Sequence, residues 1–341
     1  MKKAILIIVL LILAVAGFFG LKFYSKYYGN NVSKDGYVLI PHGAKFNQIL
    51  DSISPYVDNK ESFVEVAKDK NMDEYFKPGR YHFAKGASNT KLVNMIKAGN
   101  QTENSFRIGD FGDIYQMVGK VSKKTELDSL KFVSDLDKIA SEKGYKNAED
   151  LKKYFFIDTY NFFWTVTPKE FFNKFENQYY EFWTSERKAK EQESGLTRDQ
   201  IYALASIVYK ESGGKPDEMK TIAGLYLNRY KKGMKLQSDP TVIYAINKQT
   251  NFKESIKRVF YKHLSTPSPY NTYANAGIPP GPICVVDKNS VDAVLSPEKH
   301  DYIFMCADPE RFGFHKFTAS AEQHVINAKA YQDWLNSKNI K

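Results

Sequence analysis

The first strong pattern along the chain is an unbroken apolar run close to its N-terminus. Residues 4–21 read AILIIVLLILAVAGFFGL, with Lys2 and Lys3 before the run and Lys22 and Lys26 after it. As an α-helix, a run of this length measures about 27 Å, which is enough to cross the hydrocarbon core of a bilayer. The pattern therefore predicts a transmembrane helix.

A cleaved signal peptide is the alternative interpretation of the same segment. Ala14-Val15-Ala16 follows an apolar core, and a signal peptidase cuts after A-x-A patterns of this kind. The apolar stretch continues past that site through Phe18, Phe19 and Leu21, which favours a retained anchor. Both interpretations export the chain. Because lysines flank both ends of the run, the positive-inside rule does not decide its orientation.

Further along, one pattern occurs twice at an offset of 43 residues. Residues 39–53 (LIPHGAKFNQILDSI) and 82–96 (HFAKGASNTKLVNMI) each carry a Gly-Ala pair followed by apolar positions at helical spacing. Each copy predicts a short strand, a glycine turn and a helix. Ser88 or Asn89 is placed to cap the second helix, and Gly99 to end it. We expect the two units to pack as a small α+β module.

Two segments flank this module. The polar residues 27–35 precede it and are expected to form a tether. A weaker third copy follows it, with a strand starting at Phe106 and a helix whose apolar face includes Ile114, Met117 and Val118.

Residues 120–200 have mainly helical patterns, interrupted at residues 154–164 by the aromatic segment YFFIDTYNFFW. Tyr160 in this segment has a ring of the kind that packs against sugars. Three phenylalanines of the segment are predicted to lie in a buried strand: Phe155, Phe156 and Phe162.

The segment richest in candidate chemistry spans residues 198–282. It begins with RDQIYALASIVYKES, whose helical periodicity ends at Gly213-Gly214. Prolines and glycines at residues 277–282, GIPPGP, predict a stiff loop. Further elements are expected as a helix over 217–230, a strand over 302–307 and a helix over 319–335.

Composition narrows the class of protein. Hydrophobic residues make up 43% of the chain and charged residues 26%, which is ordinary for a globular protein. The 341 residues predict roughly two domains. Cys284 and Cys306 are too few for a disulfide scaffold or a cysteine-rich zinc module, and the sequence does not decide whether they pair.

A net charge of +10 favours a polyanionic partner. Because the chain is exported, a bacterial wall polymer fits better than nucleic acid, and we expect no nucleic-acid partner. Walker A, dinucleotide and H-E-x-x-H patterns are missing from the sequence, and its six histidines are not at metal-ligand spacing. No cofactor and no metal are therefore expected.

Glu211 is the main catalytic candidate. It lies seven residues after Leu204, so both side chains project from nearly the same side of the helix. It also lies in the last helical turn, where the helix dipole is negative. Desolvation and the dipole both raise the pKa of a carboxyl there, and a carboxyl that stays protonated near neutral pH is what a general acid requires. The alternative is a Glu that reaches solvent or pairs with Lys210 or Lys215.

Two other chemistries are weaker. Asp239 is the nearest second carboxylate for a hydrolase, although an Asp before a proline is more often a turn or cap residue. Ser206 and Lys210 lie four residues apart, a spacing that fits a Ser/Lys dyad but is common by chance.

Several ordered motifs resemble the endolytic murein transglycosylases of the MltG/YceG-like family. His315 and Phe317 fit the family's closing H-x-F element. The lead-in to the Asp-Thr-Tyr core, Lys153–Tyr160, and the Ser212-Gly213-Gly214 that follows the candidate Glu depart from the family's usual pattern. The other motifs are LASIVYKE at 204–211, GLYLNR at 224–229, GMKLQSDPTVIY at 233–244, YNTY at 270–273 and GIPPGPI at 277–283.

The resemblance implies an α+β fold in three parts. Residues 1–26 would be a cytoplasmic tail and a transmembrane anchor, 27–104 a small LysM-like strand-helix subdomain, and 105–341 the larger catalytic domain. The protein would then be a single-pass protein of the bacterial cytoplasmic (inner) membrane with its catalytic domain on the periplasmic, extracytoplasmic side.

The resemblance also implies a reaction. Glu211 would protonate the oxygen between MurNAc and GlcNAc, and the same carboxylate would then take the proton of the MurNAc C6 hydroxyl, giving a 1,6-anhydro ring. The enzyme would thus be a lyase acting on peptidoglycan glycan strands. The residues expected to bind substrate or support the site are Asn228, Gln237, Asp239, Asn271, Tyr273 and Tyr160.

Three other functions stay open at this point. A murein hydrolase would use Glu211 with Asp239, a non-catalytic membrane-anchored protein would only bind peptidoglycan, and a peptidase would use Ser206. Family resemblance further implies association with penicillin-binding proteins and other wall-synthesis proteins. Glycan length preference, stem-peptide preference and oligomeric state are not indicated by the sequence.

Overall fold

The computed structural model describes residues 2–253, 256 and 258–338. The chain divides into two compact units: residues 1–106, 121–128 and 161–167 form the first, and residues 107–120, 129–160 and 168–341 form the second. The predicted domain bounds 27–104 and 105–341 stay predictions. The helices are α1 Lys2–Tyr28, α2 Phe46–Ile53, α3 Lys60–Asp69, α4 Asn89–Ala98, α5 Ile114–Ser122, α6 Ser129–Glu142, α7 Pro168–Phe182, α8 Ser185–Ser194, α9 Arg198–Glu211, α10 Pro216–Lys231, α11 Asp239–Gln249, α12 Lys288–Leu295 and α13 Ala321–Ser337. The strands are β1 Gly36–Ile40, β2 Gly79–Phe83, β3 Asn104–Ile108, β4 Asp158–Phe162, β5 Phe304–Ala307 and β6 His315–Thr318.

The apolar run near the N-terminus forms α1, as its pattern predicts. The helix carries a window of mean hydropathy 3.1, and the apolar side chains of residues 4–21 are exposed in the structure. Its length and composition suit a membrane span, and they suit a signal sequence equally. With many helices and short strands in one chain, the predicted α+β class is confirmed.

The predicted tether at residues 27–35 is wrong, because this segment is part of the first unit and contributes to its core. Lys26 forms an ion pair with Glu65, with Nζ 2.8 Å from Oε2, just before the segment begins. Asn31 is buried and donates to Asn89 Oδ1 at 2.6 Å. Val32 is also buried, since its side chain joins the core of the module. The buried side chains of Asn31 and Val32 fix this segment in place. A short polar stretch of sequence does not reveal such contacts.

The repeated strand-turn-helix pattern is confirmed. β1 pairs with β2 in antiparallel register, with Val38 opposite Tyr81. The two glycine turns have left-handed backbone at Gly43 (φ 72°) and Gly86 (φ 80°), which favours glycine there. Ser88 caps α4 by accepting from the Lys91 amide, and α3 lies between the two copies where no helix was predicted. The LysM-like identity of this module stays a prediction.

The predicted burial of the aromatic segment is confirmed, but of Phe155, Phe156 and Phe162 only Phe162 lies in a strand, since β4 begins at Asp158. Phe155 and Phe156 are fully buried and Phe162 nearly so, and β4 covers the Asp-Thr-Tyr core. Phe155 packs against Phe175 of α7 with ring centroids 4.7 Å apart. Large rings in edge-to-face and tilted contacts supply much of the buried area of the second unit.

The helices α9, α10 and α12 pack around a close approach at Gly224. A Cβ at this position would lie 2.5 Å from the Glu298 carbonyl oxygen and 2.7 Å from His300 Nε2. Glycine in a helix interior normally costs stability, so its presence here is explained by this contact.

We therefore expect Gly224→Ala to lower the free energy of unfolding by about 1–3 kcal/mol, because a methyl group would push the Glu298 backbone away. Gly119→Ala in α5 is the matched control, because a Cβ at that position would meet nothing within 4 Å. There the same change should raise stability by about 0.4–1 kcal/mol. Urea unfolding of both variants measures the difference, and equal effects at the two positions would contradict this explanation.

Candidate active site

Glu211 stands at the C-terminal end of α9, a helix of the second unit whose middle is buried. α9 starts with a capping box in which Thr197 and Gln200 bond each other's backbone amides. Residues 201–208 of this helix are all buried, which fixes its position and its direction. The chain then turns away at Gly213, whose φ is 60°. The carboxyl of Glu211 is thus delivered by a rigid element to the edge of a cleft.

This cleft has a volume of about 480 Å³ and lies between the end of α9, the second half of α10 and the start of α11 on one side and β5 and β6 on the other. A carboxyl, a guanidinium and an imidazole group are part of its lining: those of Glu211, Arg229 and His315. Gln237, Asp239 and Tyr273 line it as well.

The carboxyl of Glu211 is bonded asymmetrically. Tyr226 donates from Oη to Oε1 at 2.7 Å, and Ser238 donates from Oγ to the same oxygen at 2.6 Å. Within the part of the chain that the structure describes, no hydrogen bond reaches Oε2. When the group is protonated, Oε1 must remain the acceptor of both bonds, so the proton sits on Oε2.

Burial raises the pKa of Glu211 above the ordinary value for a glutamate. The hydrogen bonds from Ser238 and Tyr226 lower it in part, and the nearby imidazole of His315 acts in the same direction. The negative charge of Asp239 adds to the raised pKa. Desolvation is the largest of these effects, which agrees with the prediction made from the position of Glu211 on its helix.

The two donors to Glu211 come from separate elements and were not among the predicted site residues. Tyr226 lies in the middle of α10 and is 2% exposed. Ser238 is fully buried at the N-cap of α11, yet its hydroxyl makes no bond to that helix. Its backbone amide donates to Thr272 Oγ1 at 3.0 Å, which locks the turn. The sequence does not show that Ser238 is buried or that its hydroxyl bonds Glu211 instead of capping α11.

The structure brings together three of the predicted substrate-binding residues. Tyr273 donates to Asp239 Oδ1 at 2.6 Å. Gln237 has left-handed backbone with φ 54°, and its side-chain oxygen accepts from the buried guanidinium of Arg229. Arg229 also donates to the carbonyl oxygens of Lys235 and Ile303. It therefore ties the loop before α11 to the start of β5 and shapes the cleft.

Three other predicted residues lie outside the lining of this cleft. Asn228 donates to the carbonyl oxygens of His300 and Tyr302, so it ties α10 to the chain before β5. Asn271 is fully buried, and its amide holds a loop through Leu264 and Thr266.

Tyr160 is 3% exposed, with its hydroxyl bonded to the Phe156 carbonyl and its ring against Phe175. Its place in the packed core, which a sequence does not reveal, leaves no face of the ring free for a sugar. The structure thus gives Tyr160 a packing role in place of the expected sugar contact.

Glu218 and His315 form a hydrogen-bonded pair at the border of the cleft. Glu218 in the first turn of α10 accepts from the His315 amide at 2.8 Å and from Nδ1 of the same residue at 3.0 Å. Glu218 is buried, and with Nδ1 turned toward it the ring presents its other nitrogen to the cleft. The H-x-F pattern singled out His315, whereas Glu218 was not among the predicted site residues.

The remaining sequence candidates are resolved by their contacts. Ser206 is fully buried, donates to the Ala203 carbonyl and accepts from the Ile283 amide, so it is a helix-packing residue and no Ser/Lys dyad forms. Lys210 pairs with Asp110 instead. Cys284 and Cys306 are both free thiols. Over residues 2–253, 256 and 258–338, no cluster of side chains suits a metal ion.

Comparisons with known proteins give consistent results. A model of the YceG-like family matches residues 38–330. A protein of Bacillus subtilis (strain 168), named endolytic murein transglycosylase, is 30% identical over 325 residues, which cover 89% of this chain and 85% of the relative. A protein of the same name from Streptococcus pneumoniae serotype 2 is 31% identical over 145 residues, 42% of this chain and 25% of the relative. The crystal structure of a YceG-like protein from Listeria monocytogenes aligns with a TM-score of 0.55 and 25% identity, covering 86% of this chain and 98% of that one.

The raised pKa of Glu211 has a consequence for stability. The native state binds this proton more tightly than the unfolded chain does, so the free energy of unfolding falls as pH rises from the ordinary glutamate pKa through the raised one. Glu211→Gln does not titrate and keeps an oxygen for both donors. We expect it to match the wild type at pH 4 and to be more stable at pH 7, by about 1.4 kcal/mol for each unit by which the pKa is raised.

Thermal unfolding at the two pH values tests this expectation. Glu193→Gln, at an exposed position in α8, is the control and should change stability little at either pH. A Glu211→Gln variant that is equally stable or less stable at pH 7 would show that burial does not penalise this carboxylate.

Proposed function

The chain belongs to the YceG-like family, and from this premise we propose that it is a membrane-anchored endolytic murein transglycosylase. It would be a lyase that cuts the β-1,4 bond between MurNAc and GlcNAc in nascent peptidoglycan strands and leaves 1,6-anhydroMurNAc ends. The observation that carries the proposal is the carboxyl of Glu211, which is desolvated, bonded on one oxygen only and open to a cleft on its chain's surface.

Bond cleavage begins with the protonated form. The Oε2–H of Glu211 gives its proton to the glycosidic oxygen, and the bond from that oxygen to C1 of MurNAc breaks. The GlcNAc unit leaves with a free C4 hydroxyl, and C1 becomes electron-poor. The raised pKa of Glu211 enlarges the protonated fraction of this carboxyl at a given pH, which favours general acid catalysis.

The second half of the reaction reverses the role of the same group. The C6 hydroxyl of MurNAc attacks C1 and forms the new C1–O6 bond, while its proton passes to the carboxylate of Glu211. Tyr226 and Ser238, both donating to Oε1, stabilise the carboxylate between the two steps. Because the nucleophile belongs to the substrate, no second carboxylate and no activated water are needed.

We propose that Asp239 binds substrate, whereas the hydrolase alternative would have it activate water. Its Oδ1 accepts the hydroxyl of Tyr273, and it stands exposed at the first turn of α11. A pairing of this kind suits the binding of sugar hydroxyls. Gln237 and Tyr273 would bind the glycan alongside Asp239. His315 would do so through the ring nitrogen that Glu218 leaves free, with its orientation fixed by that carboxylate.

The proposed setting is the outer face of the cytoplasmic membrane. α1 would hold the protein there as a single-pass anchor, with the wall polymer as its substrate. The net charge of +10 favours residence near anionic wall polymers and lipid headgroups. Penicillin-binding proteins and other wall-synthesis proteins are the proposed partners, because they make the strands that this enzyme would cut.

Product analysis tests the reaction class. The full chain in detergent is incubated with uncross-linked peptidoglycan strands, beside Glu211→Gln, and the products are identified by mass spectrometry. We expect internal cuts with 1,6-anhydroMurNAc ends from the wild type and a loss of at least about 10³-fold in the variant, since the acid is removed. Glu193→Gln should cleave as the wild type does.

Two outcomes would contradict the proposal. Reducing ends in place of anhydro ends would identify a hydrolase and point to Asp239 as the residue that activates water. Strands that bind to both proteins and stay intact would support a wall-binding anchor.

The hydrogen bond from Tyr226 makes a separate prediction about pH. Tyr226→Phe removes a donor that lowers the pKa of Glu211, so this pKa should rise further. The acid form then persists to higher pH, and the alkaline limb of the kcat/KM profile should move upward. The maximal rate should fall about 10²-fold, because the carboxylate between the two steps loses one of its donors. If the alkaline limb does not move, it does not reflect the ionisation of Glu211, and this prediction is wrong.

A further inference from the structure

A second cavity of about 480 Å³ lies beside the catalytic cleft, within the same unit. One face of α11 forms its longest wall, through Pro240, Ile243, Tyr244 and Asn247 at helical spacing. From the first to the last of these residues the wall extends about 10 Å. The loop at residues 109–112 and the helix α5 close the other side.

This cavity and the catalytic cleft meet at the same two helix ends. At the end of α9, Glu211 lines the cleft and Lys210 lines the second cavity. At the start of α11, Asp239 lines the cleft and Pro240 the second cavity. A linear polymer with its reacting bond at Glu211 has to leave the cleft past one of its edges, and this pair of helix ends forms one of them.

The lining of the cavity has the mixture of rings and polar groups that a pyranose needs. Phe111 and Tyr244 are buried in its wall, whereas Phe252 is half-buried and offers the most accessible ring. Lys120 lies over the Phe111 ring with Nζ 4.8 Å from its centroid, so its ammonium is held at the rim. Small-molecule sites generally combine such apolar walls with a few fixed polar groups.

One of these polar groups lacks a partner. Asn247 Oδ1 is buried, and no group in the described part of the chain donates to it. An acceptor left unpaired in a protein interior costs about 1–3 kcal/mol, so such atoms usually face a water molecule or a ligand. A sugar hydroxyl in the cavity would supply the missing donor once the Asn247 amide turned its oxygen toward the cavity.

Buried contacts hold the cavity in shape. Lys152 is 4% exposed and donates to the carbonyl oxygen of Gly112 at 2.5 Å, and it pairs with Glu149 at 3.0 Å. Glu149 in turn accepts from the Ile114 amide at the start of α5. A Cβ at Gly112 would lie 2.4 Å from the Phe252 ring, which therefore rests directly on this loop. The wall opposite α11 is thus braced before any ligand arrives.

We propose that this cavity is a second glycan subsite, which binds a sugar of the same strand at a distance from the bond that Glu211 cuts. The inference rests on the proposed function and extends it, because it predicts that long strands bind better than short ones. Asn247 and Lys120 would supply the polar contacts, and the Phe252 ring would pack against the sugar.

The test uses the full chain in detergent with Glu211→Gln as the background, so that strands bind without being cut. The probes are peptide-free GlcNAc–MurNAc oligosaccharides, a tetrasaccharide and an octasaccharide, and Kd is measured by calorimetry. We expect the octasaccharide to bind more tightly, and either Asn247→Leu or Lys120→Ala to weaken its binding by about 2- to 10-fold, the effect of one lost hydrogen bond. Lys123→Ala, an exposed change one turn from Lys120, is the matched control and should leave both affinities unchanged.

Two results would overturn the subsite. One is an octasaccharide affinity that Asn247→Leu and Lys120→Ala both leave intact, and the other is an effect seen only with strands that carry stem peptides, which would make this a peptide site. Lys120→Ala is a surface change, so it keeps the test valid if Asn247→Leu unfolds. Cleavage by the wild type separates the two proposals: if it cuts strands while the variants bind as the parent does, the subsite fails and the enzymatic function stands.

Discussion

The chemistry of this protein depends on one carboxyl group that is held where its charge is disfavoured. Glu211 combines burial, the negative end of α9 and the nearby charge of Asp239, all of which favour the protonated form. Tyr226 and Ser238 oppose these effects by donating to one oxygen. The balance leaves a group that can release a proton and take it back, and the unequal bonding of its two oxygens decides which one carries that proton.

The residues that hold this carboxyl give up local stability to do so. Ser238 stands at the N-cap of α11, where a serine hydroxyl normally stabilises the helix by about 1 kcal/mol, yet it bonds Glu211 instead. Gln237, the residue before it, has a left-handed backbone that is unfavourable for a side-chain-bearing residue. Arg229 and Thr272 hold this turn from two sides. The stability given up at the site is thus offset by the buried length of α9 and by these cross-links.

Local sequence patterns predict the features that depend on local spacing. Helical periodicity and the glycines after it place Glu211 at a helix end, and the repeat at an offset of 43 residues predicts β1, α2, β2 and α4. Local patterns do not predict contacts between distant segments. Tyr226 and Ser238 lie 15 and 27 residues along the chain from Glu211, whose carboxyl they bond. The same limit explains Tyr160 and Asn271, whose residue types suit sugar binding but whose positions are buried.

The placement of the carboxyl at a meeting point of helix ends has a further consequence. At the end of α9, adjacent residues line two different cavities, with Glu211 in the cleft and Lys210 in the second cavity. An enzyme that cuts within a polymer must hold the chain beyond the reacting bond, whereas one that trims chain ends needs a wall that stops the chain. If the second cavity at Lys210 and Pro240 is the subsite proposed above, it would hold the strand beyond the reacting bond, which fits the proposed internal cleavage. The position of one glutamate on its helix thus bears on both the proton transfer and the place of the cut along the strand.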